Sequence, residues 1–183
     1  MAEDEVNKTS AEWRFIAFLR GLEQRQDRGA LAKLRRDVGK GTPGAETLRL
    51  IAPFLPPGEG RQWRHRCYEL VAGLFALHPA PGGTGNMGDT FKRLGDHESA
   101  QKRFVALLDS DADDLPHRLR QAVSLVKSKD VPINWLQLFK DLQRWDSEDR
   151  YVQYRWARAY WSRRGETGNQ QPATTAANEK KGE

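Results

Sequence analysis

The chain of 183 residues holds a single cysteine, Cys67. That excludes a disulfide framework within the chain and a zinc site built from cysteines. β-Branched residues are scarce: Ile and Val together number 11, against 19 Leu. No alternating β-branched run occurs, so the pattern offers nothing from which to build a sheet. No apolar stretch approaches the roughly 20 residues that cross a bilayer, so no membrane association is expected. The opening MAEDEVNKTS is acidic and polar, with neither the basic start nor the apolar stretch of a secretory signal. A cytoplasmic protein is therefore expected, in which the Asn7-Lys8-Thr9 sequon carries no meaning.

Catalytic signatures are missing as well. There is no GxSxG elbow, no Walker loop and no His-Asp doublet. Of the four histidines, His65, His78, His97 and His117, none has metal-ligand spacing. His97-Glu98 starts an HExxH pattern, but Gln101 stands where the second histidine belongs. Asp109-Ser110-Asp111-Ala112-Asp113-Asp114 resembles the start of a calcium loop, yet position six is Asp114 rather than Gly and position twelve is Arg120 rather than Glu. We read these aspartates as helix caps. Gly83-Thr84-Gly85-Asn86-Met87-Gly88 matches GxGxxG, but His-Pro-Ala-Pro precedes it instead of a strand, which argues for a loop over a dinucleotide site. No catalytic residue, metal ligand, cofactor or small-molecule substrate is expected.

What the sequence does hold is basic charge and helical period. The formal net charge is +5, and between residues 13 and 164 the chain carries 27 basic against 18 acidic residues. Arg outnumbers Lys 20 to 10. Guanidinium groups grip phosphate with a planar fork and stack on bases, so an Arg-rich excess leans toward nucleic acid.

Apolar residues at helical spacing predict an all-α protein of about nine helices. Thr9-Ser10-Ala11-Glu12 reads as a capping box opening a helix to about 27, with Phe15, Phe18, Leu19 and Leu22 inward. Further helices are expected at about 29–38, stopped by Gly39 and Gly41, then at 45–54, 61–77 and 90–94, the last capped by Asp89. Others follow at 98–108, at 115–127 behind Asp113 or Asp114, at 133–145, and from the Asp146-Ser147-Glu148-Asp149 cap to about 164. The Gly/Pro-rich loop 78–88 divides two small helical bundles. The expected organisation is a flexible N-terminus over 1–10, an N-terminal lobe with its linker over 11–88, a C-terminal lobe over 89–164 and a disordered tail over 165–183.

Basic residues cluster three times. Lys33, Arg35, Arg36 and Lys40 lie on or after the second helix, with Lys33, Arg36 and Lys40 on one face. Arg61, Arg64 and Arg66 open the fourth helix, whose free amides and positive dipole suit phosphate. Arg150, Arg155, Arg158, Arg163 and Arg164 ride the last helix, which holds no acid between Asp149 and Glu166. Trp135, Trp145, Trp156 and Trp161 interleave with these arginines. They serve either as base-stacking rings or, more simply, as core for small bundles.

The ordered series of segments resembles the CasB family, the small subunit of the type I-E CRISPR surveillance complex Cascade. The likeness spans residues 11–164. It rests on Leu34-Arg35-Arg36, on Trp63-Arg64-His65 leading to Phe75-Ala76-Leu77, and on Arg103-Phe104-Val105-Ala106-Leu107-Leu108. It continues through Leu119-Arg120, Val131-Pro132-Ile133-Asn134-Trp135 and Asp141-Leu142-Gln143-Arg144-Trp145-Asp146. The resemblance implies a non-catalytic, all-α subunit present in two copies. It also implies other Cascade subunits, guide RNA and target DNA as partners, and basic residues on the guide-paired target strand and the displaced strand. It carries nucleic-acid contacts to Arg35, Arg36, Arg64 and Arg120, and less directly to Arg150, Arg155 and Arg158. Lys33 and Arg61 join them by their place in the basic clusters. Two other readings remain: a free-standing helix-turn-helix protein that binds a defined DNA site as a dimer, and a scaffold that joins protein partners only.

Overall fold

A computed structural model describes residues 10–38, 43–58, 60–80 and 82–162. The expected stop at Gly39 and Gly41, the basic residues Lys40, Arg163 and Arg164, most of the N-terminal segment and the tail 165–183 lie outside the described residues. Among those described there are nine α-helices, one short 3-10 turn and no strand.

Helix α1 (Ala11–Gln24) starts at Ser10, whose hydroxyl accepts from the Trp13 amide at 3.1 Å. The cap is thus Ser10, one residue later than a box built on Thr9. Gln26 ends the helix with a left-handed φ of 55°. Helix α2 (Arg28–Asp37) is capped by Asp27 and buries Ala30, Leu31 and Leu34. Helix α3 (Ala45–Ile51) runs into the 3-10 turn Ala52–Phe54. Helix α4 (Gln62–Leu77) is buried almost throughout its second half, from Leu70 to Ala76. It forms the centre of the fold: α1, α2, α3, α7 and α8 all pack on it.

Beyond the 78–88 loop come α5 (Met87–Arg93), α6 (Glu98–Leu108), α7 (Leu115–Ser128), α8 (Trp135–Leu142) and α9 (Tyr151–Trp161). Helix α5 starts three residues before the expected 90–94 segment. Its cap is Asn86, and Asp89 supplies the reciprocal bond of a capping box, donated by the Asn86 amide at 2.8 Å. Before α7 the capping carboxylate is Asp111, which accepts from the amides of Asp113 and Asp114, while Asp114 pairs with Arg118. Helix α8 is shorter than expected because Asn134 caps it and the chain turns through 143–146. Asp149 accepts from the Tyr151 amide to start α9.

The 78–88 loop connects halves that share side chains. Phe15 of α1, Tyr68 of α4 and Phe139 of α8 meet with ring centroids 4.7–5.5 Å apart. The Trp63 indole donates to the Leu142 carbonyl at 3.0 Å, and the buried His78 ring donates to the Val131 carbonyl at 2.8 Å. A second aromatic group joins α5, α6 and α9 through Phe91, Phe104 and Tyr160. Among the described residues the buried apolar side chains form one continuous cluster.

The glycines of GxGxxG are packing residues. A Cβ on Gly83 would lie 2.1 Å from the Ile133 main-chain carbon, and one on Gly88 would lie 2.0 Å from the Trp156 carbonyl oxygen. Only a residue without a side chain lets the loop cross the start of α8 and lets α5 lie against α9. Among the described residues no helix is long and apolar enough to cross a membrane.

Candidate nucleic-acid interface

The fold sorts the candidate basic residues into those it ties down and those it leaves projecting. Lys33 forms an ion pair with Glu46, which Arg49 also approaches. The Lys33 hydrogen bond and charge, with Arg49 behind them, hold the exposed Glu46 carboxyl below its ordinary range. Arg150 sits in the left-handed region at φ 50° and donates from Nη2 to the carbonyl of Leu108, the last residue of α6, at 2.6 Å. It closes an otherwise open helix end. Arg66 pairs with Asp113 at 3.1 Å.

Arg35, Arg36 and Arg120 come together where α2 ends beside α4 and α7. Arg35 Nε donates to the Ala76 carbonyl in the last turn of α4 at 2.9 Å. Arg120 Nη1 donates to the carbonyl of Val38, the C-cap of α2, at 3.0 Å. Both cations thus sit at the negative ends of helices. A guanidinium has five N–H donors, so one bond apiece leaves others turned outward, and both residues remain exposed. Arg36 is exposed and has no side-chain partner among the described residues. Arg103, His117, Arg120, Gln121, Ser124 and Ser128 line an adjoining cleft of about 510 Å³.

Arg64 belongs to a second group at the other end of α4. It is exposed and has no hydrogen-bond or ion-pair partner among the described residues. Arg64, Lys140, Arg144 and Arg155 line a cleft of about 490 Å³ between α1, α4, α8 and α9, together with Glu12, Gln137, Asp141 and Gln143. Arg61, at the start of α4, is exposed, and no side chain caps that helix. Arg158 is exposed on α9. Arg64 precedes Ala76 by 12 positions on one helix, so the two groups lie about 18 Å apart along its axis.

Asp141 forms the floor of the second cleft and is only 2% exposed. The Trp156 indole donates to it at 2.7 Å and Gln137 at 2.8 Å, while Arg155 stands 3.5 Å away. Burial pushes its carboxyl above the usual range, against the opposing pull of those donors and of Arg144. At the rim, burial also pushes Glu12 upward. Hydrogen bonds from its own amide, Gln143 and Ser10, with the charge of Lys140, outweigh that and hold Glu12 below its ordinary value.

Lys140 and Arg144 are not among the residues expected from sequence. Lys140 lies in the last turn of α8 and Arg144 follows the helix in the 143–146 turn, so their i, i+4 spacing would put them on one face only of the longer helix expected from the sequence. Trp135, Trp145 and Trp156 are buried, as a core reading requires, whereas Trp161 is half exposed.

Residues 30–161 match the family model for CRISPR-associated protein Cse2. The CRISPR-associated protein Cse2 of Thermus thermophilus is 38% identical over 156 residues, which covers 81% of this chain and 88% of that relative. The crystal structure of CasB from Thermus thermophilus aligns with a TM-score of 0.73 at 36% identity, covering 84% of this chain and 99% of that one. A chain of a CRISPR RNA-guided surveillance complex shares the fold with a TM-score of 0.68 at 22% identity, covering 86% of this chain and 92% of that one. The family match over most of the chain, the identity to its relative and the common helical order agree with the likeness read from the sequence, and the chain is a member of the Cse2 (CasB) family, the non-catalytic small subunits of type I-E Cascade.

Proposed function

We propose that this chain assembles into a type I-E Cascade complex, with a second copy of itself and the other subunits, and there holds nucleic-acid backbones without reading their sequence. Its ligands are the guide-paired target strand and the displaced DNA strand, and its effect is to keep the R-loop open in antiviral defence. The observation that carries this reading is the pair of outward-turned arginine groups at the two ends of α4, with Arg36 and Arg64 unpaired by any described side chain. Their separation of about 18 Å corresponds to roughly five nucleotides of one strand in a duplex. Base pairing with the guide supplies sequence specificity, so the protein need only supply cationic contacts, and R-loop formation is balanced closely enough for those to tip it.

Binding of the isolated full chain to unrelated oligonucleotides over a range of salt tests this reading. With about four phosphates engaged on a duplex, log affinity falls against log salt with a slope near −3.6, whatever the sequence. Binding confined to one sequence would instead favour a free-standing DNA reader, and absence of binding would favour a protein-only scaffold.

A further inference from the structure

Helix α9 carries an outward face that neither the core nor the arginine groups account for. Tyr151, Tyr154 and Trp161 are 44%, 72% and 50% exposed. They make up half of the large exposed apolar side chains among the described residues, on a helix of 11 residues. Their numbers, with Arg155 and Arg158 between them, follow i, i+3, i+4, i+7 and i+10, which is one continuous stripe. Val152 and Trp156 occupy the opposite, buried side. Trp161 is anchored, its ring meeting Phe104 and Tyr160 at 5.7 and 5.1 Å. Tyr154 makes no ring contact and no side-chain hydrogen bond among the described residues, so nothing within the fold employs it.

The charge carried by α9 itself has one sign, although Asp146 and Asp149 stand just before its start and Arg155 pairs with the buried Asp141. No acid lies on α9. The Arg155 guanidinium sits 5.3 Å from the centre of the Tyr151 ring, a cation–π distance, and also lines the basic cleft with Arg64, Lys140 and Arg144. Tyr151 and Arg144 in turn line the neighbouring cleft, together with Asp146 and Asp149. Rings and guanidinium groups therefore alternate along one edge of the molecule. That alternation matches a strand whose bases are exposed: rings take base faces, and cations take the phosphates between. A duplex cannot use such rings, because its base faces are already stacked inside.

We propose that the outward face of α9 is a stacking platform for unpaired nucleotides, with Tyr151 and Tyr154 taking base faces and Arg144, Arg155 and Arg158 holding the intervening phosphates. This rests on the nucleic-acid reading above and adds to it a preference for single strands that comes from the bases rather than the backbone. Tyr154 is the diagnostic residue, since its removal disturbs no packing.

The test measures fluorescence anisotropy of the full chain with a labelled oligothymidine of about 12 nucleotides, a length within the site sizes typical of single-strand binders. An abasic strand of the same length serves as the comparison. The wild-type chain should bind the base-bearing strand roughly five- to hundredfold more tightly than the abasic one. Tyr154→Ala should lose a comparable factor on the base-bearing strand only, while Tyr154→Phe, which keeps the ring, should retain it. Arg36→Ala, by contrast, should weaken both strands alike. Equal wild-type affinity for the two strands, or a Tyr154→Ala variant of native melting temperature that binds oligothymidine like wild type, overturns the platform and leaves backbone binding standing. Failure of the wild type to bind either strand overturns both readings. Unchanged oligonucleotide binding together with lost self-association or lost Cascade assembly in Tyr154→Ala would make the face a protein interface and also overturn the proposal.

Discussion

Arg120 of α7 and Val38 at the end of α2 stand 82 residues apart in sequence and are joined by a 3.0 Å hydrogen bond from the guanidinium to the main-chain carbonyl. Arg35 does the same for Ala76 of α4 at 2.9 Å. On sequence alone, exchanging Arg35, Arg36, Arg64 or Arg120 for Ala is expected to leave melting unaltered. The structure divides the four. Arg35→Ala and Arg120→Ala each leave a helix-end carbonyl without its donor and should cost about 1–2 kcal/mol. That amounts to a fall in melting temperature of roughly 2–8 °C. Arg36→Ala and Arg64→Ala should stay within about 0.5 kcal/mol of wild type. Thermal unfolding followed by circular dichroism checks the division; four equal melting temperatures would contradict it.

Asp141 gives the fold a pH dependence whose sign is fixed by burial. Its carboxyl titrates above its ordinary range when folded, so the native state holds the proton more tightly than the unfolded chain does. Its contribution to stability is complete below the unfolded value of 3.8 and is lost as pH rises through the elevated folded value. Asp141→Asn should flatten this dependence in the acid range. Asp141→Ala removes the acceptor of the buried Trp156 indole and should cost about 1–3 kcal/mol at neutral pH. Urea unfolding at a series of pH values measures both effects; identical profiles for wild type and Asp141→Asn would contradict the assignment.

Burial raises the Cys67 thiol to about 12, against the weaker pull of Arg64 and Arg66. At pH 8 the native thiol should therefore resist an aromatic disulfide reagent and react within seconds once denaturant is added. Rapid labelling of the native protein would contradict the buried position.

Gly88 allows α5 to lie on the carbonyl of Trp156, 2.0 Å from where a Cβ would stand. Main chain cannot swing aside as a flexible side chain does, so Gly88→Ala should destabilise by about 1–3 kcal/mol or more. A melting temperature equal to wild type would contradict so close a crossing.

Which features the sequence discloses follows from their range. Helices with long apolar periods, such as those carrying Phe104-Leu107-Leu108 or Leu115-Leu119-Val123-Val126, are local facts and are visible in the residues. Caps are local too, but several candidates compete within three residues, so Ser10, Asn86 and Asp111 take places that Thr9, Asp89 and Asp113 also fit. The roles of Arg35, Arg120 and Arg150 depend on carbonyls 41, 82 and 42 residues away, and no spacing rule encodes such distances. The same limit hides why GxGxxG is glycine-rich, because the obstructing atoms belong to Ile133 and Trp156. Lys140 and Arg144 are visible as basic residues four apart, but α8 ends at Leu142 between them. What their spacing does not disclose is Arg64 and Arg155 across the cleft.

The central claim, that unpaired arginines at the two ends of α4 hold nucleic-acid backbones, is tested most directly by the salt dependence of target binding. The measurement uses Cascade assembled with wild-type chain or with the Arg36→Ala, Arg64→Ala double variant, on matched target DNA. Two lost phosphate contacts should weaken binding to every matched sequence and make the slope of log affinity against log salt shallower by about 1.8. Assembly and melting should be unchanged. Wild-type affinity and wild-type slope in the folded, assembled double variant would contradict the claim.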